Sequence, residues 1–95
     1  MTKSDIVNEV SNATGLTKVE TEIVIEGIIH SISNAMKRSE RVDIRGFGSF
    51  KVKKRKARQA RNPATQEIVA LKERYVPVFK VSDLLREDVN ISLSR

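Results

Sequence analysis

Apolar residues recur at helical spacing through the first forty positions of the chain, and the spacing then changes. Ile6, Val7 and Val10 mark one buried face of a first helix ending near Thr14. Thr2 or Ser4 can cap its start, and Gly15 fits its C-cap. Thr17-Lys18-Val19-Glu20 has the form of a capping box, with the Thr17 hydroxyl serving the Glu20 N–H and the Glu20 carboxylate reaching back to the backbone. The second helix then runs to about Arg38. Val19, Ile23, Ile25, Ile28, Ile29, Ile32, Ala35 and Met36 give it a wide apolar stripe, and Lys37 and Arg38 stand where the helix dipole favours cations.

From Arg41 the period changes to two. Val42 and Ile44 alternate with Asp43 and Arg45, predicting a strand. In Gly46-Phe47-Gly48-Ser49-Phe50 the glycines suit a tight turn and the phenylalanines a core. Strand-like sequence continues to Arg61, breaks at the turn signal Asn62-Pro63-Ala64-Thr65, and resumes from Gln66 to Val81. Ser82 can cap a last short helix. The predicted order is α-α-β-β-β-α. This is an α+β fold with two N-terminal helices, a three-stranded antiparallel sheet extended into a long protruding β-ribbon arm, and a short C-terminal helix. The expected organisation is one domain: a helical dimerisation half at 1–40, sheet and arm at 41–81, the closing helix at 82–90 and a frayed tail at 91–95.

Two consequences follow from the pattern. The outer part of the hairpin pairs Lys54–Arg61 with about Glu67–Arg74 and has few large apolar side chains. A two-stranded ribbon without a core is marginal in water, so the arm should project. The second helix is apolar around more of its circumference than one layer can cover. A dimer in which two chains share Ile25, Ile28, Ile29, Ile32, Phe47, Phe50 and Phe79 as a core resolves this.

Charge sharpens the picture. Of a formal +6, residues 1–40 carry four Lys/Arg against six Asp/Glu, residues 41–80 carry twelve against three, and residues 81–95 carry two against three. Lys51–Arg61 holds seven Lys/Arg in eleven residues and no acid. All the excess charge therefore sits on the sheet and arm, where it directs a field toward a polyanion. There is no cysteine and one histidine, His30; neither a Cys-based zinc site nor a histidine triad can be built, and no cofactor is expected. No apolar run approaches the roughly 20 residues of a membrane span, and no apolar segment follows a basic start. A cytoplasmic location, with neither a membrane nor a small-molecule substrate as partner, is the expectation.

The residues Gly46-Phe47-Gly48-Ser49-Phe50, Arg55, Arg58 and Ala60-Arg61-Asn62-Pro63 with Thr65 resemble the HU / integration host factor family of bacterial nucleoid proteins, most nearly HU. The likeness extends over residues 1 to about 90. It implies an intertwined dimer whose two arms enter the minor groove of double-stranded DNA and bend it, compacting it with little sequence preference. By that resemblance Pro63 is the wedge between base pairs, and Arg58, Arg61, Asn62 and Thr65 lie in the groove. Gly46, Ser49, Lys51, Lys53, Lys54, Arg55, Lys56, Lys72, Arg74 and Lys80 are the expected contacts to the DNA backbone. The physics agrees: such a ribbon releases counterions, Arg suits a narrow minor groove, and proline is a rigid wedge with no N–H to orphan. One departure stands out. The family commonly has glycine after the tip threonine, and this chain has Gln66, which would be strained if the position needs a positive φ.

Other readings carry less. The Gly15 region resembles a helix-turn-helix, but Glu20, Glu22 and Glu26 on its second helix would repel phosphates. A basic arm could recognise RNA, yet the chain lacks spare aromatics to stack unpaired bases. An enzyme would need a nucleophile–base pair or a metal cluster. Gly27 either allows a close helix crossing or is a tolerated helix glycine. Tyr75, at the base of the arm, is expected to pack. A homodimer is favoured over a heterodimer with a paralogue, because the chain can complete its own core.

Overall fold

The computed structural model describes residues 1–94. The chain divides into two compact units, Met1–Ala35 and Met36–Arg95, so the division falls inside the second helix rather than at position 40.

In the first unit, α1 (Lys3–Thr14) is capped by Thr2. Its N–H donates to the Asp5 carboxylate at 2.8 Å, while its side chain accepts from the Asp5 N–H at 3.4 Å. Gly15 closes the helix at φ 81, donating to the Ser11 carbonyl at 3.0 Å. Of the expected buried face, Val7 is buried and Val10 half-buried, whereas Ile6 is exposed. The helix α2 spans Lys18–Lys37. At its start the Thr17 hydroxyl accepts from the Glu20 N–H at 3.1 Å, as expected, but the Glu20 carboxylate accepts from that same hydroxyl (2.8 Å). The box is thus half made. The Lys3 amine joins the helices, donating to Glu26 at 2.8 Å.

Val7 and Ala35 are the only buried hydrophobic side chains among the described residues. Ile28 and Ile29 remain about half exposed, at 52 % and 50 %, and Ile25 and Ile32 are half-buried. The single chain therefore leaves the α2 stripe largely uncovered.

In the second unit, Ser39 takes φ 59 just after α2. The strands are β1 (Val42–Ile44), β2 (Gly48–Arg55), β3 (Arg58–Arg61), β4 (Ile68–Leu71) and β5 (Arg74–Val81). Three form an antiparallel sheet ordered β1-β2-β5, and β3-β4 form a separate two-stranded ribbon. The expected long ribbon is thus interrupted at Lys56-Ala57 and Lys72-Glu73, residue types that strands disfavour. The register does not slip: Arg55 faces Arg74 before the gap, and Arg58 faces Leu71 after it.

Gly46 turns the chain at φ 82. Gly48 is required for a different reason: a Cβ there would lie 2.5 Å from the Phe79 ring and 2.6 Å from the Lys80 carbonyl. That contact seats Phe79 against Phe50 and Phe47, with centroids 4.8 and 5.2 Å away. The phenylalanine cluster expected from sequence is formed, although Phe47 and Phe79 keep an exposed side.

The last helix, α3, spans Asp83–Leu93, with Ser82 as its cap accepting from the Leu85 N–H at 3.1 Å. It runs past the expected end near Val89, because Asn90-Ile91-Ser92-Leu93 contains no glycine or proline to stop it. The Ser94 hydroxyl donates to the Asn90 carbonyl at its end. The tail foreseen at 91–95 is therefore mostly helix; Arg95 lies outside the described residues.

Candidate nucleic-acid interface

Antiparallel pairing sorts the basic residues. Ser49 faces Lys80, Lys51 faces Val78, Lys53 faces Val76 and Arg55 faces Arg74. Side chains alternate across a sheet, and directly paired residues share a face. Ser49, Lys51, Lys53, Arg55, Arg74 and Lys80 therefore share one face with Val76 and Val78, while Phe50, Val52, Lys54, Tyr75, Pro77, Phe79 and Val81 share the other. One side of the sheet thus carries all but one of its paired cations, and the other is mostly apolar.

Like charges crowd one another on the first face. The ammonium of Lys51 is pushed below the usual lysine range, chiefly by Lys53, then by partial desolvation, Arg41 and Lys80. No carboxylate is paired with Lys51, Lys53, Arg55 or Lys80 among the described residues. The one acid on this face, Asp43 opposite Ser49, is held by its own sheet. The Ser49 hydroxyl and the Arg41 guanidinium (2.9 Å) both donate to it, and they keep its carboxyl below the ordinary aspartate range. Arg41, Arg45, Ser49 and Lys80 line an open concavity of about 410 Å³ that reaches the Ser82 cap. Arg41 and Arg45 were not among the expected contacts; the signal for them was the charge count, which turns basic at residue 41 and not at residue 51.

Lys54 departs from its neighbours. It lies on the opposite face, where its amine meets the Glu73 carboxylate at 2.7 Å and stands 5.9 Å from the centre of the Tyr75 ring. Tyr75 itself is exposed rather than packed. Lys56 and Lys72 fall in the interruption of the ribbon. There Arg55, Lys56, Arg58 and Arg74 line a second concavity of about 600 Å³, so the gap gathers cations rather than dispersing them.

Beyond the gap, Arg58 faces Leu71 and Arg61 faces Ile68. Three positions apart on a strand, these two arginines point to opposite faces of the arm. The tip follows from Asn62. Its N–H donates to the Glu67 carbonyl at 2.8 Å, its carbonyl accepts from the Gln66 N–H at 2.7 Å, and its side-chain oxygen accepts from the Ala64 N–H at 3.0 Å. Pro63, Ala64 and Thr65 are left exposed at the extremity. Gln66 stands at φ 63, so the position does need the left-handed conformation that glycine would adopt freely.

A family model described as bacterial DNA-binding protein matches residues 1–90. The chain belongs to that family. It is the HU / integration host factor family, whose likeness Gly46–Thr65 carries, and it is one of DNA-binding architectural proteins rather than of enzymes. The chain is 41% identical over 96 residues to integration host factor subunit beta of Marinobacter nauticus, covering 100% of this chain and 98% of that one. It is 33% identical over 90 residues to DNA-binding protein HU of Clostridium pasteurianum, covering 95% and 99%. Among solved structures it is similar to HU of Anabaena in a cocrystal with DNA, at 35% identity and TM-score 0.85, covering 94% and 97%. The three helices and antiparallel strands of this family member match that fold. Among its described residues, no cluster of His, Asp and Glu could hold a metal ion, and no helix is long and apolar enough to cross a membrane.

Proposed function

We propose that this protein is an architectural DNA-bending protein that works as a dimer, gripping duplex DNA in the minor groove with two arms. One observation carries the reading. The register collects Lys51, Lys53, Arg55, Arg74 and Lys80 on a single face that leads to an arm tipped by Pro63. The cationic face meets phosphates and releases counterions, so affinity depends little on sequence. Gly46, Ser49, Lys56 and Lys72 extend that contact, whereas Lys54, on the opposite face, reaches a phosphate only by leaving Glu73 and curling round the edge of the arm. Arg58 and Arg61, on opposite faces of the arm, meet opposite walls of the groove, with Asn62 and Thr65 beside them. Pro63 then enters a base step. Unstacking costs about a few kcal/mol per step and is offset by the cationic surface that bent DNA reaches.

The dimer rests on the uncovered α2 stripe. Ile25, Ile28, Ile29 and Ile32, with Phe47, Phe50 and Phe79, supply the shared core that a chain with only two buried hydrophobic side chains among its described residues lacks. In this reading residues 1–40 dimerise, 41–81 bind DNA, and the protein is associated with the nucleoid in the cytoplasm. It needs no cofactor and performs no catalysis. The 41% identity to an integration host factor subunit favours a second arrangement, a heterodimer with a paralogue. Native mass spectrometry of the purified chain separates them: a stable dimer of this chain alone supports the homodimer.

The bending reading is tested by fluorescence transfer across a short end-labelled duplex. Pro63→Ala should bind within about threefold of wild type, since the phosphate contacts remain, and bend the duplex less. An unchanged bend refutes the wedge and leaves the cationic face standing.

A further inference from the structure

The arm tip uses a backbone conformation that favours glycine, and this chain puts a glutamine there. At φ 63 the Gln66 Cβ crowds neighbouring carbonyl oxygen, a cost glycine does not bear. The turn needs that conformation: with Asn62 bonded to both Gln66 and Glu67, residues 63–65 reverse the chain and Gln66 returns it to the ladder. The side chain gives nothing back through packing, because it is exposed. Strain kept at an exposed position directs attention to what the side chain does outside the fold.

The polar atoms of the tip are unequally committed. The Asn62 side-chain oxygen is taken by the Ala64 N–H, and the Thr65 hydroxyl accepts from the Glu67 N–H at 3.4 Å. The Gln66 amide nitrogen makes one long bond, 3.4 Å to the Pro63 carbonyl. Its oxygen has no partner among the described residues. That bond places the nitrogen end of the carboxamide next to Pro63, with a second N–H free.

We infer that Gln66 is a specificity-determining residue, whose amide nitrogen donates to minor-groove acceptor atoms beside the step opened by Pro63. The inference rests on the wedge reading above. In the minor groove A·T and T·A present only the acceptors adenine N3 and thymine O2, whereas G·C adds the guanine N2 amino donor. A donor held against Pro63 meets only acceptors at an A·T pair, whereas at a G·C pair the guanine amino group stands between the acceptors and opposes it. The tip therefore prefers A·T next to the kink, a preference that a glycine at this position could not supply.

Inosine provides the chemical test, because I·C keeps the pairing geometry of G·C but lacks the N2 amino group. Binding and bending are measured on nicked duplexes, which fix the kink, with A·T, I·C or G·C beside the nick. Wild type should bind the A·T and I·C duplexes alike, and about threefold to tenfold tighter than G·C, as expected for one hydrogen bond gained against one donor left unpaired. Gln66→Gly, which removes the strain, and Gln66→Met, which keeps the length without the amide, should both lower that ratio to within about twofold while still bending DNA. A ratio unchanged in both variants overturns the inference, as does I·C behaving like G·C in wild type. If wild type bends none of the duplexes, the wedge reading fails and takes this inference with it; a bent but sequence-blind complex overturns the inference alone.

Discussion

Replacing Gly48 by alanine should unfold the protein more readily than any conservative change in the arm. The added Cβ would sit 2.5 Å from the Phe79 ring and 2.6 Å from the Lys80 carbonyl, where van der Waals contact needs roughly 3.5 Å. The ring cannot move aside freely, because it packs against Phe50 and Phe47 at 4.8 and 5.2 Å, and aromatic pairs contribute about 0.5–1.5 kcal/mol each beyond burial. The carbonyl is backbone next to the Gly48–Val81 pair, so relief there opens the end of the β2–β5 ladder. Overpacking of this kind costs about 1–3 kcal/mol, and the backbone partner places Gly48→Ala toward the upper end. For a domain of this size about 2–3 kcal/mol lowers Tm by roughly 10–20 °C. Thermal unfolding followed by circular dichroism at one fixed protein concentration measures it, since dimerisation makes Tm depend on concentration. Gly27→Ala is the control: nothing lies within 4 Å of its Cβ, and a helix-interior glycine to alanine change stabilises by about 1 kcal/mol. A Gly48→Ala protein melting within about 2 °C of wild type would refute the packing account of this turn. A destabilised Gly27→Ala would instead place Gly27 at a helix crossing between chains.

Two further outcomes follow from the charged face. Lys51→Gln with Lys53→Gln removes two phosphate contacts from each chain and four from the dimer, so the slope of log affinity against log salt should become shallower by about 3.6; an unchanged slope would place these lysines away from DNA. The carboxyl of Asp43 is held low by the Ser49 hydroxyl and then by Arg41. Its stabilising contribution is therefore present above the ordinary aspartate range and is lost as pH falls through its folded value. Asp43→Asn should flatten the acid limb of the stability–pH curve measured by urea unfolding, and a limb identical to wild type would contradict the arrangement.

The helices were legible because their signals are local. Thr2, Gly15, Thr17 and Ser82 act within a turn of themselves, and all four do so in the structure. The register was legible only to within one residue: pairing Lys54–Arg61 with Glu67–Arg74 sets Lys54 against Arg74, whereas Arg55 takes that place because the turn extends through Glu67. The interruption was not legible, since Lys53–Lys56 and Lys72–Arg74 are runs of charge without alternation, and only the weak strand preference of Lys56-Ala57 and Lys72-Glu73 marks it. Nor was the end of α3, where nothing in Asn90–Leu93 favours stopping or continuing strongly. The division of the cations between faces was written in the odd numbers of Lys51, Lys53 and Arg55, but it takes the partner strand to show that Arg74 and Lys80 join them. Lys54, one position out of phase, falls on the apolar side for the same reason. Gln66 was visible only as a missing glycine. Sequence alone does not give φ, and hydrogen bonds spanning Asn62 to Glu67 decide it.

The gap in the ribbon also governs what lengths the arm can have. Register is identical on both sides of Lys56-Ala57 and Lys72-Glu73, so a residue lost from one strand alone would throw every outer pair out of step. Losses must come in facing pairs, one from each strand, and each pair shortens the reach by about 3.4 Å, close to the rise of one base pair along a DNA strand. A single pair also turns the tip over, exchanging the sides of Arg58 and Arg61, whereas two pairs restore them. The arm is thus a ruler graduated in base pairs, on which only every second mark leaves the two arginines facing the same walls.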